Sequence, residues 1–194
     1  MSGMNDHYGA VEILRARLRG DSAAQREIHG HASAAVALLL VNRGGVPHIP
    51  FTVRSDELPS HKGQISLPGG KVDPADGSFA AAALRETHEE LGVDPAHVSI
   101  LGELDDVPTP TGFTIRPVVG YLDAAAAVYR PNPGEVAEVF ETPLHVFADP
   151  AIREDLGARE FRGIRYQLHA YNVDGRRIWG ATARMVDQLV DLLR

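Results

Sequence analysis

The sequence predicts a mixed fold, either α+β or an α/β/α sandwich, and three observations lead there. Segments of strand composition recur along the chain, at residues 32–41, 46–54, 98–104, 114–122 and 135–140, with a strand pair inside 160–173. Helical spacing, by contrast, shows in only three places: near the N-terminus, before Gly92, and at the C-terminal end. A chain of 194 residues with 44% hydrophobic and 23% charged residues suits one soluble domain with a sizeable core. Many strands with few helices leave helix-on-sheet layering as the economical way to bury both kinds of face.

Taken in order, residues 1–30 read as a polar lead and a helical extension, with Val11, Leu14 and Leu18 on one face and Arg15, Arg17 and Arg19 between them. Those arginines read as a solvated face, or as a basic face near an anionic ligand. Residues 32–41 form a buried strand that turns at 42–45 and returns over 46–54 as a hairpin. Pro47 and Pro50 mark the return as an edge or an irregular segment. Residues 107–112, a Pro/Thr/Gly loop, read as a pocket lining or a stiffened turn. Pro131-Asn132-Pro133-Gly134 is a turn, and Asp174-Gly175 closes the strand pair. The last helix carries Ala183, Val186, Leu189, Val190 and Leu193 on one face, and Trp179 before it is expected in the core, with stacking on adenine as the alternative.

The chemistry concentrates in residues 67–93. Arg85, Glu86, Glu89 and Glu90 fall within six residues, and the three glutamates share a helix face at spacings of three and four. Like charges at that spacing weaken a helix, whereas a hard divalent cation takes oxygen ligands of this kind. Leu84 and Leu91, with Ala80 and Thr87, supply the opposite, core-packing face. Asp76 or Ser78 caps the start, and Gly92 ends the helix. Pro68-Gly69-Gly70 turns the chain so that its backbone can approach a phosphate or metal. Upstream, Arg54, Ser55, His61, Lys62 and Gln64 run into that turn, and basic and polar groups there suit phosphate oxygens.

Composition excludes other classes. A net charge of −7 argues against a general nucleic-acid binder, and zero cysteines exclude disulfides, thiol catalysis and cysteine-ligated zinc. The apolar run at 32–41 is too short to span a bilayer and no signal-peptide pattern opens the chain, so a cytoplasmic location is expected.

Residues 70–93 resemble the box of the Nudix hydrolases, G-x5-E-x7-R-E-U-x-E-E-x-G-U with U a bulky apolar residue. Asp76 stands for the first Glu, the middle gap holds one extra residue, and Thr87 occupies an apolar position. Residues 52–70 further resemble the motif of the coenzyme A diphosphatase subfamily, matching at Thr52, Arg54, Ser55, Gly63 and Pro68-Gly69-Gly70. Pro59 replaces that motif's second Arg, Leu67 its Phe, and Pro50-Phe51 its paired leucines. The segment 179–184 resembles the subfamily's closing stretch.

The resemblance implies a mixed sheet between helices with a loop-helix-loop box, and metal-dependent hydrolysis of a diphosphate linked to another moiety. It implies Mg²⁺ or Mn²⁺ on Glu86, Glu89 and Glu90 with the Gly70 carbonyl, and a small-molecule substrate held by Arg54, Ser55, His61, Lys62 and Gln64. Arg85 and Asp76 brace the box, with Arg85 reaching Glu89. The base is Glu89 or a later glutamate, Glu135 or Glu138. Coenzyme A, cut into 3′,5′-ADP and 4′-phosphopantetheine, is the expected substrate. ADP-ribose or NADH hydrolysis and a non-catalytic nucleotide-binding module are the alternatives. Oligomeric state is left open.

Overall fold

The computed structural model describes residues 4, 6–18, 31–59, 61–161 and 163–194. Its main sheet is built around β1, Ala32–Arg43, which alternates strictly: Val36, Leu38 and Leu40 enter one core cluster, Ala35, Ala37, Leu39 and Val41 the other. A strand buried on both faces belongs at the centre of a layered sheet, and β1 lies there. It runs parallel to β7, Phe113–Leu122, and antiparallel to β2, Val46–Arg54, and β4, Gly69–Lys71. The order β3-β2-β1-β7-β5, with β3 at Ile65–Ser66 and β5 at Val98–Glu103, makes the sheet mixed. Short β6, Val107–Pro108, pairs with β7, and β8, Val136–Pro143, with β2.

Helices cover both faces. α1, His7–Arg17, and α3, Gly180–Leu192, bury Ala10, Leu14, Ala183, Val186 and Leu189 in one cluster. α2, Phe79–Leu91, buries Ala82, Ala83 and Leu91 in the other. The architecture is the expected α/β/α arrangement. A second antiparallel sheet, β11-β10-β9, comprises Arg153–Phe161, Ile164–Val173 and Arg176–Trp179 for β9, β10 and β11. Among the described residues no helix is long and apolar enough to cross a membrane.

Four expectations need correction. β2 is not an edge strand, because β1, β3 and β8 all pair with it. Its prolines are tolerated because the ladders are staggered. Pairing with β1 ends at His48 and pairing with β3 begins at Thr52, so Pro50 faces only β8. The strand pair assigned to 160–173 is instead β9 and β10, whose ladder runs to Phe161 opposite Ile164, and Asp174-Gly175 leads on to β11. Both residues of that turn have positive φ, 48° and 77°, as a two-residue hairpin requires. Trp179 is not core: it precedes α3 with 42% of its surface exposed. On α2 the core face is centred on Ala83, Thr87 and Leu91, leaving Leu84 only half-buried. Thr87 tolerates burial because its hydroxyl donates to the Ala83 carbonyl at 2.7 Å.

α1 falls where the spacing of Val11 and Leu14 predicts, while Arg19 lies outside the described residues. Its first residue, His7, is 1% exposed, and neither ring nitrogen has a hydrogen-bond partner among the described residues. The imidazole packs on Tyr8 and Tyr121, and burial, opposed by nearby Asp6, lowers its pKa below the usual value. Between the folded and unfolded pKa the unfolded chain binds the extra proton. Stability from this site is therefore present above about pH 6.5 and lost as pH falls. Thermal melts at pH 7.5 and 5.5 are expected to show a smaller acid-induced loss in His7→Leu than in the wild type. Equal losses would remove His7 as the cause.

Candidate functional site

The site forms where α2 faces the ends of β4 and β2. Ser78 caps α2 by accepting from the Ala81 N–H at 3.0 Å, and Gly92 ends it in the left-handed region at φ 68°. Asp76 does not cap the helix; it closes its own turn by accepting from the Asp73 N–H at 2.7 Å and grips Arg85. The start of α2 is fixed from below as well. Buried Arg116 on β7 stacks on Phe79 at 4.6 Å while donating to Asp106 and Glu103.

Arg85 organises the acidic face. Its Nε and Nη2 donate to the two Asp76 oxygens at 2.7 and 3.1 Å, a bidentate pair. Nη1 donates to Glu86 at 2.9 Å and Glu89 at 3.2 Å, and Nη2 also reaches the Lys71 carbonyl at 3.1 Å. These bonds raise the Arg85 pKa, and the same pairing holds the Asp76 carboxyl below its usual range. The brace spans the loop and the helix, as read from the sequence.

The three glutamates sit at different depths: Glu89 is half exposed, Glu86 half-buried and Glu90 buried, with 5% of its surface exposed. Glu90 accepts from the Gly69 N–H at 3.2 Å. Burial, reinforced by Glu135 and Glu86 and opposed by the Gly69 N–H and Arg54, pushes its pKa up to about 7. Burial likewise raises the Glu86 pKa, against the pull of Arg85. Gly69 and Gly70, expected as a turn, instead begin strand β4 because they pair with Val36 and Ala35 of β1. The strand comes close because it carries no side chains there: a Cβ on Gly70 would lie 2.5 Å from the Glu86 carboxylate.

Two further groups converge here. Asn132 N–H donates to the Glu90 carbonyl at 2.9 Å and Ser55 N–H to the Glu135 carbonyl at 2.8 Å, so the loop before β8 is stitched to both α2 and the end of β2. Glu135 thus lies within electrostatic reach of Glu86 and Glu90, and its charge adds to the upward shift of their pKa values. Glu138, the other glutamate singled out, instead pairs with Arg176 of the second sheet. Arg54 comes with β2, its charge opposes the upward shift at Glu90, and its buried Nε has no hydrogen-bond partner among the described residues.

The remaining substrate candidates lie on the loop that follows. Ser55 is buried and its hydroxyl accepts from the Glu57 N–H at 3.3 Å. His61, exposed and at φ 58°, bonds through Nδ1 to Gln64 Oε1 at 2.7 Å, and Lys62 is exposed beside it. Of residues 107–112, Val107 and Pro108 are β6 and the rest form the tip of the β6–β7 hairpin, closed by Thr109, whose N–H donates to the Phe113 carbonyl at 2.8 Å.

As donors for a hard cation the site offers Glu86, Glu89, Glu90 and Glu135 with the Gly70 backbone beside them. The donor chemistry fits such a group, because a cation would neutralise a buried carboxylate that, among the described residues, only one N–H supports. The shell is not preset. Among the described residues no three acidic or histidine side chains converge as a metal-ready cluster, and Arg85 holds Glu86 and Glu89.

Comparison with known proteins fits this geometry. Residues 30–161 match the family pattern described as NUDIX domain. The human mitochondrial coenzyme A diphosphatase is 41% identical, the alignment covering 97% of this chain and 80% of that protein. An uncharacterized Nudix hydrolase of Photorhabdus laumondii is 36% identical, over 91% of this chain and 93% of the relative. Among solved structures, one from Deinococcus radiodurans superposes with a TM-score of 0.53 at 19% identity, covering 89% of each chain. A MutT/nudix family protein of Enterococcus faecalis gives 0.53 at 15% identity, over 86% of this chain and 63% of that one. At these identities the two structures speak to the fold alone.

Proposed function

We propose that this chain, which belongs to the Nudix hydrolase family and so acts on phosphoric anhydride bonds, is a metal-dependent coenzyme A diphosphatase releasing 3′,5′-ADP and 4′-phosphopantetheine. The observation that carries the reading is that one loop ties the upstream motif to the acidic helix: Ser55 N–H donates to the Glu135 carbonyl at 2.8 Å and Asn132 N–H to the Glu90 carbonyl at 2.9 Å. Arg54 thereby comes within electrostatic reach of Glu90. The similarity to the human mitochondrial coenzyme A diphosphatase supports the same substrate.

Glu86, Glu89 and Glu90, with the Gly70 carbonyl, would hold Mg²⁺ or Mn²⁺, which neutralises the diphosphate and acidifies a water when bound. The protein's own groups do the rest. Arg54, whose buried Nε has no hydrogen-bond partner among the described residues, would hold a phosphate oxygen. Arg85 stays on Asp76 and keeps the box loop closed while Glu86 and Glu89 exchange partners. His61, Lys62 and Gln64 offer polar contacts at the outer end of the loop. Glu135 or Glu89 accepts the proton of the water that attacks one phosphorus in line with the departing phosphate oxygen.

The test is turnover of coenzyme A beside ADP-ribose and NADH with Mg²⁺ or Mn²⁺, products resolved by chromatography. Preferential release of 3′,5′-ADP is expected. Preference for another diphosphate would keep the box chemistry and discard coenzyme A. Pro59, exposed where the subfamily has its second arginine, makes that outcome a real competitor. Binding without cleavage would point to a nucleotide-binding module.

A further inference from the structure

Between β7 and β8 the chain crosses the C-terminal end of α2, and the crossing is anchored twice. At its near end Arg43 donates to Glu141 at 2.7 and 2.8 Å and to the Ala127 carbonyl at 3.1 Å, while the Tyr129 hydroxyl donates to Glu141 at 2.6 Å. At its far end the chain meets the last turn of α2, whose final carbonyls have no partner within the helix. Arg130 N–H takes the Leu91 carbonyl at 2.7 Å and Asn132 N–H takes that of Glu90 at 2.9 Å.

Asn132 then connects this end of the helix to Glu135. Its carbonyl accepts from the Glu135 and Val136 N–H groups at 3.0 and 2.8 Å. Its side-chain oxygen accepts from the Gly134 N–H at 3.2 Å, and its side-chain NH₂ donates to the Glu135 carboxylate at 3.4 Å. Pro131 and Pro133 flank it, one fixing its own φ and the other keeping Asn132 extended, so the turn has few other conformations. Without that donor, repulsion from Glu86 and Glu90 favours a Glu135 rotamer turned out to solvent.

We propose that Asn132 is a positioning residue whose side-chain amide keeps the Glu135 carboxylate facing Glu86 and Glu90, so that the loop before β8 completes the oxygen-donor set of the box. This rests on the reading of those carboxylates as the cation site. The side chain of Asn132 acts through its one hydrogen bond to the Glu135 carboxylate, so its role is to position and not to react.

Asn132→Asp separates the two jobs of the side chain. The aspartate oxygen still accepts from Gly134 and preserves the turn, but it removes the donor to Glu135 and adds a repulsion. The experiment measures Mn²⁺ binding to the full chain without substrate, by the electron paramagnetic resonance signal of free Mn²⁺, alongside thermal melting. Asn132→Asp is expected to melt close to the wild type and bind Mn²⁺ about tenfold more weakly, the usual effect of losing a group that orients a ligand. Glu135→Gln is expected to weaken binding at least as much, and the double variant no further. A wild-type Mn²⁺ affinity in Asn132→Asp, or losses that multiply in the double variant, would overturn the proposal. Wild-type affinity in Glu135→Gln would overturn it too while leaving the substrate panel untouched. Absence of any Mn²⁺ binding by the wild type would bring down the cation site and this inference together.

Discussion

Glu90→Gln is expected to lower kcat by about a hundredfold or more, the scale seen when one preorganised electrostatic group is removed from an active site. The substitution is isosteric, and the amide oxygen keeps the bond to the Gly69 N–H. What it deletes is the charge of a carboxylate buried to 5% beside Glu86 and Glu135. Taking a buried, repelled charge out of a fold does not weaken it, so in the absence of divalent cation the variant is expected to melt no lower than the wild type. Lost turnover with retained stability is the signature of a group kept for chemistry. Near-wild-type turnover would sink the assignment of Glu90. A collapse of stability would instead make it a structural carboxylate.

The contrast between depth and function explains what could be read from the sequence. The spacing of Glu86, Glu89 and Glu90 placed them on adjoining positions of one helix, and the Gly-rich segment lies against them as read, although Gly69 and Gly70 do so as strand β4 and not as a turn. Arg85 bracing the box through Asp76 and Glu89 was legible because one contact is a local helical pair and the other spans a short loop. The graded burial of the glutamates was not legible. It depends on which face of α2 packs on β1, and that face buries Ala82 and Ala83 rather than Leu84. The choice between Glu135 and Glu138 was also out of reach. Glu138 goes to Arg176, a residue 38 positions away on another sheet, and no local pattern announces that pairing. Pro50 misled for the same kind of reason: its tolerance comes from where two neighbouring ladders stop and start, a property of partners and not of the strand itself.

Gly69→Ala is expected to destabilise the chain by at least about 3 kcal/mol, which for a protein of this size lowers Tm by roughly 6–12 °C. Two costs combine. At φ 151° the backbone of Gly69 lies where side-chain-bearing residues are rarely found, and an alanine there is strained before it meets anything. The added Cβ would then stand 2.4 Å from the Ala35 carbonyl oxygen and 2.5 Å from Val36 Cα. Both are backbone atoms of the central strand, so no rotamer change relieves the contact and β4 must move off β1. The same movement pulls the Gly69 N–H away from Glu90, and activity is expected to fall with stability. Gly70→Ala differs in kind, because its Cβ meets the Glu86 carboxylate, the far end of a side chain that can swing away. That variant is expected to keep more of its stability while losing the close approach of backbone to carboxylate. Denaturant unfolding of the two variants side by side checks the distinction. Equal, small losses would mean that β4 is free to shift and that the packing of the turn on β1 does not set the geometry of the site.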